Sequence, residues 1–163
     1  MTGLRLLRLF AWAAVAVLVL LVGWTVLWHG GQRVAEVGPP VQIGGPFSLV
    51  DQNGRPTTEA DLAGRPTLLF FGFTHCPEVC PTTLYEITGW MRTLGAQADG
   101  LNVVFVTVDP ERDDQAALAE YAKAFDPRIR MLTGTPQAVD QMIRAYRAYV
   151  RKVPLEGGGY TMD

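Results

Sequence analysis

The sequence has 163 residues, of which 48% are hydrophobic, and this is enough apolar material for one ordinary domain but not for two. Lys and Arg number 14 and Asp and Glu number 16, so the net charge is −2 and no basic surface is available to neutralise phosphates. This argues against a nucleic-acid partner. The two cysteines allow one disulfide or one two-thiolate metal site, and they exclude a scaffold of several disulfides and a four-cysteine zinc site.

An uncharged, apolar segment over residues 9–28 follows a short stub, residues 1–8, that contains Arg5 and Arg8. A helix of about 20 residues spans the ~30 Å hydrocarbon core of a bilayer, so we predict a single transmembrane anchor over 9–28. Cytoplasmic flanks carry the excess of Arg and Lys. The stub is therefore predicted to be cytoplasmic, the anchor to lie in the inner or plasma membrane, and the rest to be periplasmic, or in the intermembrane space of a mitochondrion.

A cleaved signal peptide is the alternative interpretation of this segment. The apolar region of a signal peptide is usually about 7–15 residues and ends at a small-x-small site, and the sequence shows neither feature convincingly. Residues 29–45 are rich in glycine and proline, which predicts a partly stiff linker. His29 is interpreted as a residue of the membrane interface and not as a ligand. The soluble domain is predicted to occupy residues 46–163.

The soluble domain alternates predicted strands with predicted helices. The turn residues Asn53 and Gly54 predict a hairpin at its start. Three apolar runs predict buried strands over 67–73, 101–108 and 129–132, and the first is expected to be a central strand with helices on both faces. Three amphipathic helices are expected after these strands. Their buried faces are formed by Cys80, Leu84, Ile87, Met91 and Leu94, by Leu118, Tyr121, Ala122 and Phe125, and by Val139, Met142, Ile143 and Tyr146.

The helix starts also carry signals. Asp113 is expected to cap the second helix, and Thr135 with Pro136 is expected to open the third. Right-handed crossovers between parallel strands turn this order of elements into a layered α/β sheet.

The two cysteines, Cys76 and Cys80, lie between the end of the first buried strand and the start of the helix that follows it. Free backbone N–H groups and the helix dipole favour a negative sulfur at such a position. In helical geometry an i,i+4 pair has Cβ atoms about 5–6 Å apart, whereas a disulfide needs about 3.5–4.5 Å. Two sulfurs bound to one metal lie about 4 Å apart, so metal chelation is the less strained option.

Other chemistries of the pair remain open at this point. A disulfide stays possible if Pro81 is the first helical residue, which would make Cys80 the cap. Soft thiolates favour copper(I), an added imidazole would also allow copper(II), and ligand type alone does not exclude zinc.

The soluble part resembles the SCO/SenC family, membrane-tethered proteins of thioredoxin fold that take part in copper delivery to cytochrome c oxidase. The similarity runs in colinear order from about residue 45 to 163, which makes chance similarity improbable. It is carried by residues 71–81, 108–113, 132–136, 149–154 and Tyr160.

The resemblance implies a thioredoxin-like three-layer α/β fold and a copper site formed by Cys76, Cys80 and a distal histidine. In the family this histidine follows a Tyr-x-x-Asp segment, which here is Tyr160 to Asp163. The third ligand would therefore be the residue just after Asp163, and it is absent. The resemblance also implies that the last strands and the C-terminal helix of the fold are missing, as in a truncated chain or a fragment.

Several polar neighbours are weighed as further ligands. His75 is expected beside the site, because adjacent residues at a strand end point to opposite sides. Glu78 gives a Cys-x-Glu-x-Cys pattern like that of a dinuclear copper centre, but no histidine follows it in the next helix, and a first-turn acid is the simpler interpretation. A hard-cation site is not expected among the acids of 109–114, because Asp109 and Asp113 have structural roles at a turn and a cap.

Two functions from different classes fit these residues. The first is a membrane-anchored copper chaperone, not an enzyme, that passes copper to cytochrome c oxidase subunit II and to other copper-handling proteins. The second is a thiol-disulfide oxidoreductase in which Cys76 and Cys80 are the redox-active pair and reduce the cysteines of a partner. A peroxidase is a weaker third, since no partner arginine or threonine around a peroxidatic thiol can be identified.

Overall fold

The structure, a computed structural model, describes residues 3–30 and 43–163. The chain divides into two units, Met1–Gln42 and Ile43–Asp163. Most of the predicted linker, 31–42, lies outside the described residues, and so do the side chain of His29 and the first two residues of the predicted stub.

The described part of the first unit is one helix, α1 (Gly3–Gly30). Its window Leu7–Thr25 has a mean hydropathy of 2.2, and none of that window is buried within the protein. Length and composition therefore suffice for crossing a membrane, although a signal sequence meets the same two conditions. The predicted anchor over 9–28 falls within this helix.

The second unit contains a five-stranded sheet in the order β2-β1-β5-β4-β3. The strands β3, β4 and β5 are parallel, and β1 pairs antiparallel with both β2 and β5. The strand bounds are β1 Ser48–Asp51, β2 Pro56–Thr58, β3 Thr67–Gly72, β4 Asn102–Thr107 and β5 Ile129–Thr133.

Helices connect the parallel strands, and a separate hairpin follows them. The helices are α2 (Val79–Leu94), α3 (Gln115–Ala122) and α4 (Pro136–Ala145), with short 3-10 turns at Glu59–Leu62 and Gly95–Gly100. The hairpin consists of β6 (Lys152–Pro154) and β7 (Tyr160–Met162), which pair antiparallel. The predicted alternation of strand and helix is therefore confirmed.

The side chains of β4 divide the core into two layers, because successive residues of a strand face opposite sides of the sheet. Val103 and Phe105 pack with the buried faces of α2 and α3. Val104 and Val106 pack with β1 and α4 on the other side. Thr135 caps α4 by accepting a hydrogen bond from the backbone N–H of Ala138, as predicted.

Near the cysteines, one prediction about the elements is wrong, and one alternative that the sequence leaves open is not realised. The first apolar strand was expected to be central, but β3 lies at the edge of the sheet and Leu68 is 43% exposed; the strand buried on both faces is β4. The first helix was considered to open at Pro81 with Cys80 as its cap, but α2 begins at Val79. Pro81 is tolerated inside the first turn because the N–H that it lacks would have had no partner within the helix.

Candidate metal centre

Cys76 and Cys80 lie where β3 ends and α2 begins. The backbone N–H of Cys76 donates to the carbonyl of Phe73 at 3.3 Å, which forms a tight turn directly after the strand. Cys80 is the second residue of α2 and points into the protein. The sequence spacing therefore becomes a short loop that brings both sulfurs to the carboxyl end of the parallel strands, where open α/β sheets bind ligands.

The two sulfurs are unequal in environment. Both cysteines are free thiols, and Cys76 is partly exposed whereas Cys80 is 6% exposed. The backbone N–H of Cys80 donates to the Sγ of Cys76 at 3.3 Å. One thiol is thus open to a reactant, and the other forms the inner wall of the site.

The pKa values of the two thiols differ because their environments differ. Burial opposes ionisation of Cys76, but hydrogen bonds from the Cys80 thiol and from the backbone N–H groups at the start of α2 outweigh burial, so the pKa of Cys76 lies below its ordinary value. Burial is the largest effect on Cys80 and raises its pKa to about 12, and the neighbouring Cys76 adds to this rise. Cys76 is therefore the thiol that ionises first.

Gly72, the last residue of β3, lets Cys80 approach the sheet. A Cβ atom at this position would lie 2.7 Å from the Phe105 ring and 3.0 Å from the Cys80 sulfur. Because real Cβ atoms do not approach that closely, any larger residue would push α2 and the buried thiol away from β4.

Asp113 was predicted to cap α3, and this prediction is wrong. Its neighbour Asp114 is the cap and accepts a hydrogen bond from the backbone N–H of Ala117 at 2.8 Å. Asp113 is fully buried and accepts three hydrogen bonds instead: from the N–H of Thr74 at 2.9 Å, from its hydroxyl at 2.5 Å, and from the Thr107 hydroxyl at 2.6 Å. Asp113 thereby links Thr74, two residues before Cys76, to the end of β4.

The neighbouring candidate ligands do not join the thiols. His75 is mostly exposed, and its Nδ1 lies 3.0 Å from the Thr74 hydroxyl and 3.8 Å from a carboxylate oxygen of Asp113. Glu78 is exposed at the start of α2 and forms no side-chain cap. Within residues 3–30 and 43–163, no group of three His, Cys, Asp or Glu side chains is arranged to hold a metal ion.

A cluster that we call the Tyr160 clamp holds the β6–β7 hairpin against the loop after β4. It consists of Tyr160, Asp109, Arg112 and Lys152. The Tyr160 hydroxyl donates to Asp109 at 2.9 Å. The Arg112 guanidinium lies over the Tyr160 ring at 3.9 Å from its centroid, and the Lys152 ammonium lies over it at 3.8 Å. Arg112 also forms an ion pair with Asp109 and donates to the Tyr160 carbonyl at 3.0 Å.

The clamp residues engage two of the four acidic residues of 109–114. Asp109 is engaged by Tyr160 and Arg112, and Glu111 accepts a hydrogen bond from Lys152 at 2.6 Å. Each of these carboxylates is therefore already paired with a cation or a hydroxyl. Both carboxylates therefore have structural partners in the described part of the chain.

The hairpin forms one wall of a cavity of about 130 Å³ next to Cys80. A water molecule needs on the order of 10–15 Å³ of such volume, so the cavity has room for an ion or a small ligand. Met162 and Asp163, at the end of the described chain, line it together with Cys80. The remaining lining residues are Phe71, Gly72, Phe73, Val108, Tyr149 and Val150.

Comparison with known proteins adds the family context. The sequence model of the SCO1/SenC family matches residues 35–163. The mitochondrial SCO1 homolog of Mus musculus is 42% identical over 135 residues, which are 81% of this chain and 47% of that protein. The chain spans about half the length of the curated relatives that it matches.

Two solved structures share the fold of the second unit. Bradyrhizobium japonicum ScoI with copper bound has 51% sequence identity and a TM-score of 0.72, and the match covers 74% of this chain and 77% of that one. Arabidopsis thaliana ScoI with copper bound has 40% identity and a TM-score of 0.68, over 74% and 76% of the two chains. The predicted thioredoxin-like α/β fold is confirmed.

Replacing Asp113 tests its role beneath the cysteine loop. We expect Asp113→Asn to lower the free energy of unfolding by on the order of 2 kcal/mol, because three buried hydrogen bonds lose their charged acceptor. The matched control is Asp114→Asn, which should have almost no effect, since Asn and Asp cap helices equally well. Urea denaturation followed by circular dichroism measures both variants. Equal effects of the two substitutions would contradict the assignment.

The difference between the thiols predicts an order of alkylation. With limiting iodoacetamide, Cys76 should react before Cys80, and its rate should reach its plateau at a lower pH than that of an ordinary cysteine, whose pKa is about 8.5, because the thiolate is the nucleophile. Peptide mapping by mass spectrometry at several pH values measures both rates in the unmodified chain. Modification of Cys80 first would show that the accessibility of the two sulfurs is reversed.

Proposed function

Since this chain belongs to the SCO1/SenC family, we propose that it is a membrane-anchored copper chaperone that holds copper between Cys76 and Cys80. Its cargo would pass to cytochrome c oxidase, with subunit II as the recipient and other copper-handling proteins as further partners. The observation that carries the proposal is the pair of free thiols at the strand ends: Cys76 is partly exposed, and the buried Cys80 lines a cavity.

The donor set suits copper(I). Thiolates are soft ligands and favour copper(I) among the biological metals, and the lining of the cavity around Cys80, which is apolar except for Asp163, favours an ion of low charge. The pKa of the Cys76 thiol lies below its ordinary value because of its hydrogen bonds, which favours Cys76 as the first thiolate. A bound cation would favour the second, because a coordinating thiol is deprotonated by its metal.

The exposed sulfur supports delivery by ligand exchange. Incoming ligands of a partner protein can reach a metal from the side of Cys76, which is partly exposed, while Cys80 retains it from the buried side. Transfer then proceeds by replacing one sulfur at a time, so the ion is bound throughout. A chaperone needs this property, because it must hold its cargo firmly and still release it.

We extend the proposal to a third ligand, a histidine directly after Asp163 in a longer form of the protein. Met162 and Asp163 line the same cavity as Cys80, so the chain reaches the thiols at this point. Side chains alternate along a strand, and a residue following Asp163 would share the face of Tyr160 and Met162 if β7 continued. An imidazole added to two thiolates would allow the site to hold copper(II) as well.

The second candidate function, thiol-disulfide exchange, has one observation in its favour. The pKa of Cys76 is lowered, and a thiolate of this kind attacks a disulfide sulfur of a partner, with Cys80 positioned to resolve the mixed disulfide. Reduction of a partner's cysteines would prepare them to receive copper, so the two functions are compatible in one protein.

For the remainder of the chain we propose the organisation that the sequence predicts. Residues 1–8 are a cytoplasmic stub, 9–28 the membrane anchor, 29–45 the linker, and 46–163 the copper-binding domain. The apolar helix α1 supports an anchor, and the excess of Arg before it supports the orientation.

Copper titration tests the proposed function. The full chain in detergent micelles should bind one copper(I) ion under anaerobic conditions, as measured by competition with a chromophoric copper(I) chelator. Cys76→Ser and Cys80→Ser should each lower the affinity by more than the roughly 10–100-fold that loss of an outer-shell partner costs. Binding that is unchanged in both variants, or no binding in the unmodified chain, would exclude this site.

A matched pair of extended chains tests the third ligand. One carries a histidine appended after Asp163 and the other an alanine at the same point. Only the histidine form should bind copper(II) with a thiolate-to-copper absorption band. The same band in both forms would show that the appended imidazole is not a ligand.

Thiol labelling tests the orientation of the anchor. In spheroplasts of an expressing bacterium, an impermeant maleimide should modify Cys76 of the intact cells, because the domain is proposed to be periplasmic. The Cys76→Ser variant is the control for labelling at Cys80. Labelling that occurs only after lysis would mean that the domain is cytoplasmic.

A further inference from the structure

The end of β7 places Met162 next to the buried cluster that contains Cys80. Phe73, Cys80 and Val108 form a small buried cluster, and both Cys76 and Met162 pack against it. Met162 also lines the cavity into which Cys80 faces. A thioether and two thiols therefore surround one small part of the domain.

The position of Met162 is fixed by the hairpin and does not depend on a free chain end. The Tyr160 clamp holds the first residue of β7, and the strand alternation places Met162 on the same face as Tyr160. Beyond Met162, the backbone of Asp163 and Arg151 exchange two hydrogen bonds, at 2.6 and 2.8 Å. Met162 is thus held between two fixed points.

The surroundings of Met162 distinguish it from the other described methionines. Met91 and Met131 are buried in the cluster between the sheet and α2 and α3, and Met142 is buried in the cluster on the opposite face. Within residues 3–30 and 43–163, Met162 alone among the methionines packs against the cluster that contains Cys80. If packing were the only role of this position, leucine would serve at least as well, because the flexible methionine side chain defines a core less precisely.

We infer that Met162 is a third sulfur ligand for copper(I) in this chain, together with Cys76 and Cys80. The inference rests on the proposed function and adds a ligand to the same site. Thioethers are soft, neutral donors that select copper(I), and they add no charge to a site that two thiolates already make negative. As a consequence, the site should prefer copper(I) over copper(II). Two thiolates and a thioether bind copper(II) less well than a ligand set that includes an imidazole does.

The ligand set can be read directly with selenium. The full chain, with selenomethionine at its five methionines, is loaded with one equivalent of copper(I) in detergent micelles and measured by X-ray absorption at the copper edge. We expect selenium in the first coordination shell of copper. Met162→Leu should remove that selenium, whereas the control Met142→Leu, which changes a buried methionine on the opposite side of the sheet, should retain it.

Affinity gives a second, independent measurement. By chelator competition, Met162→Leu should lower the copper(I) affinity by at least the roughly tenfold that loss of an outer-shell partner costs, and Met142→Leu should leave it unchanged. Near-ultraviolet circular dichroism checks that each variant is folded. If Met162→Leu does not fold, the copper–selenium signal of the unsubstituted chain decides the question.

The outcomes separate this inference from the proposed function. One copper(I) per chain, dependent on both cysteines but without selenium in the first shell and with the same affinity in Met162→Leu, overturns the thioether ligand and leaves the chaperone. No copper(I) binding by the unsubstituted chain overturns both. Selenium bound to copper, together with loss of affinity in Met162→Leu alone, supports the third sulfur.

Discussion

The site depends on one buried carboxylate. Asp113 is inaccessible to solvent and lies below the cysteine loop, where an unpaired charge would be costly, so its hydrogen-bond donors are held firmly in place. Those donors come from Thr74, two residues before Cys76, and from Thr107 at the end of β4. The Asp113 carbonyl in turn accepts a hydrogen bond from Thr133 at the end of β5. A single residue therefore ties together the ends of three parallel strands, and the thiol loop is built on that support.

The sequence predicts well whatever is set by local pattern. Apolar runs and helical spacing identify the three parallel strands and their helices, because side-chain periodicity is a property of neighbouring residues. The role of Asp113 is different. Asp113 and Asp114 both precede a helix, and the choice of cap is decided by Thr74, which is 39 residues away in the chain. The edge position of β3 also depends on distant parts of the chain. The apolar pattern of a strand does not indicate how many neighbouring strands it pairs with.

The contacts around Tyr160 show what a family resemblance predicts and what only the folded chain reveals. The resemblance marks Tyr160 and residues 108–113 as separate motifs, but only the folded chain shows that they are one cluster, across a separation of 51 residues between Tyr160 and Asp109. Two cations over one ring stabilise the arrangement, and the carboxylates of Asp109 and Glu111 balance their charge. No periodicity or spacing within either motif predicts this contact.

The asymmetry of the two thiols follows from the same architecture. Gly72 admits Cys80 close to the sheet, and burial then disfavours its thiolate, while the start of α2 supplies Cys76 with N–H donors that favour its thiolate. Before any ion binds, one sulfur is charged more easily and the other stays protonated, so the pair does not place two negative charges side by side in an apolar pocket. In the proposed copper site, a cation next to Cys76 would change this balance, since its charge would offset the desolvation of the second thiolate. Binding of the cation and ionisation of Cys80 would then be coupled, and release of the cation would return Cys80 to its protonated, buried state.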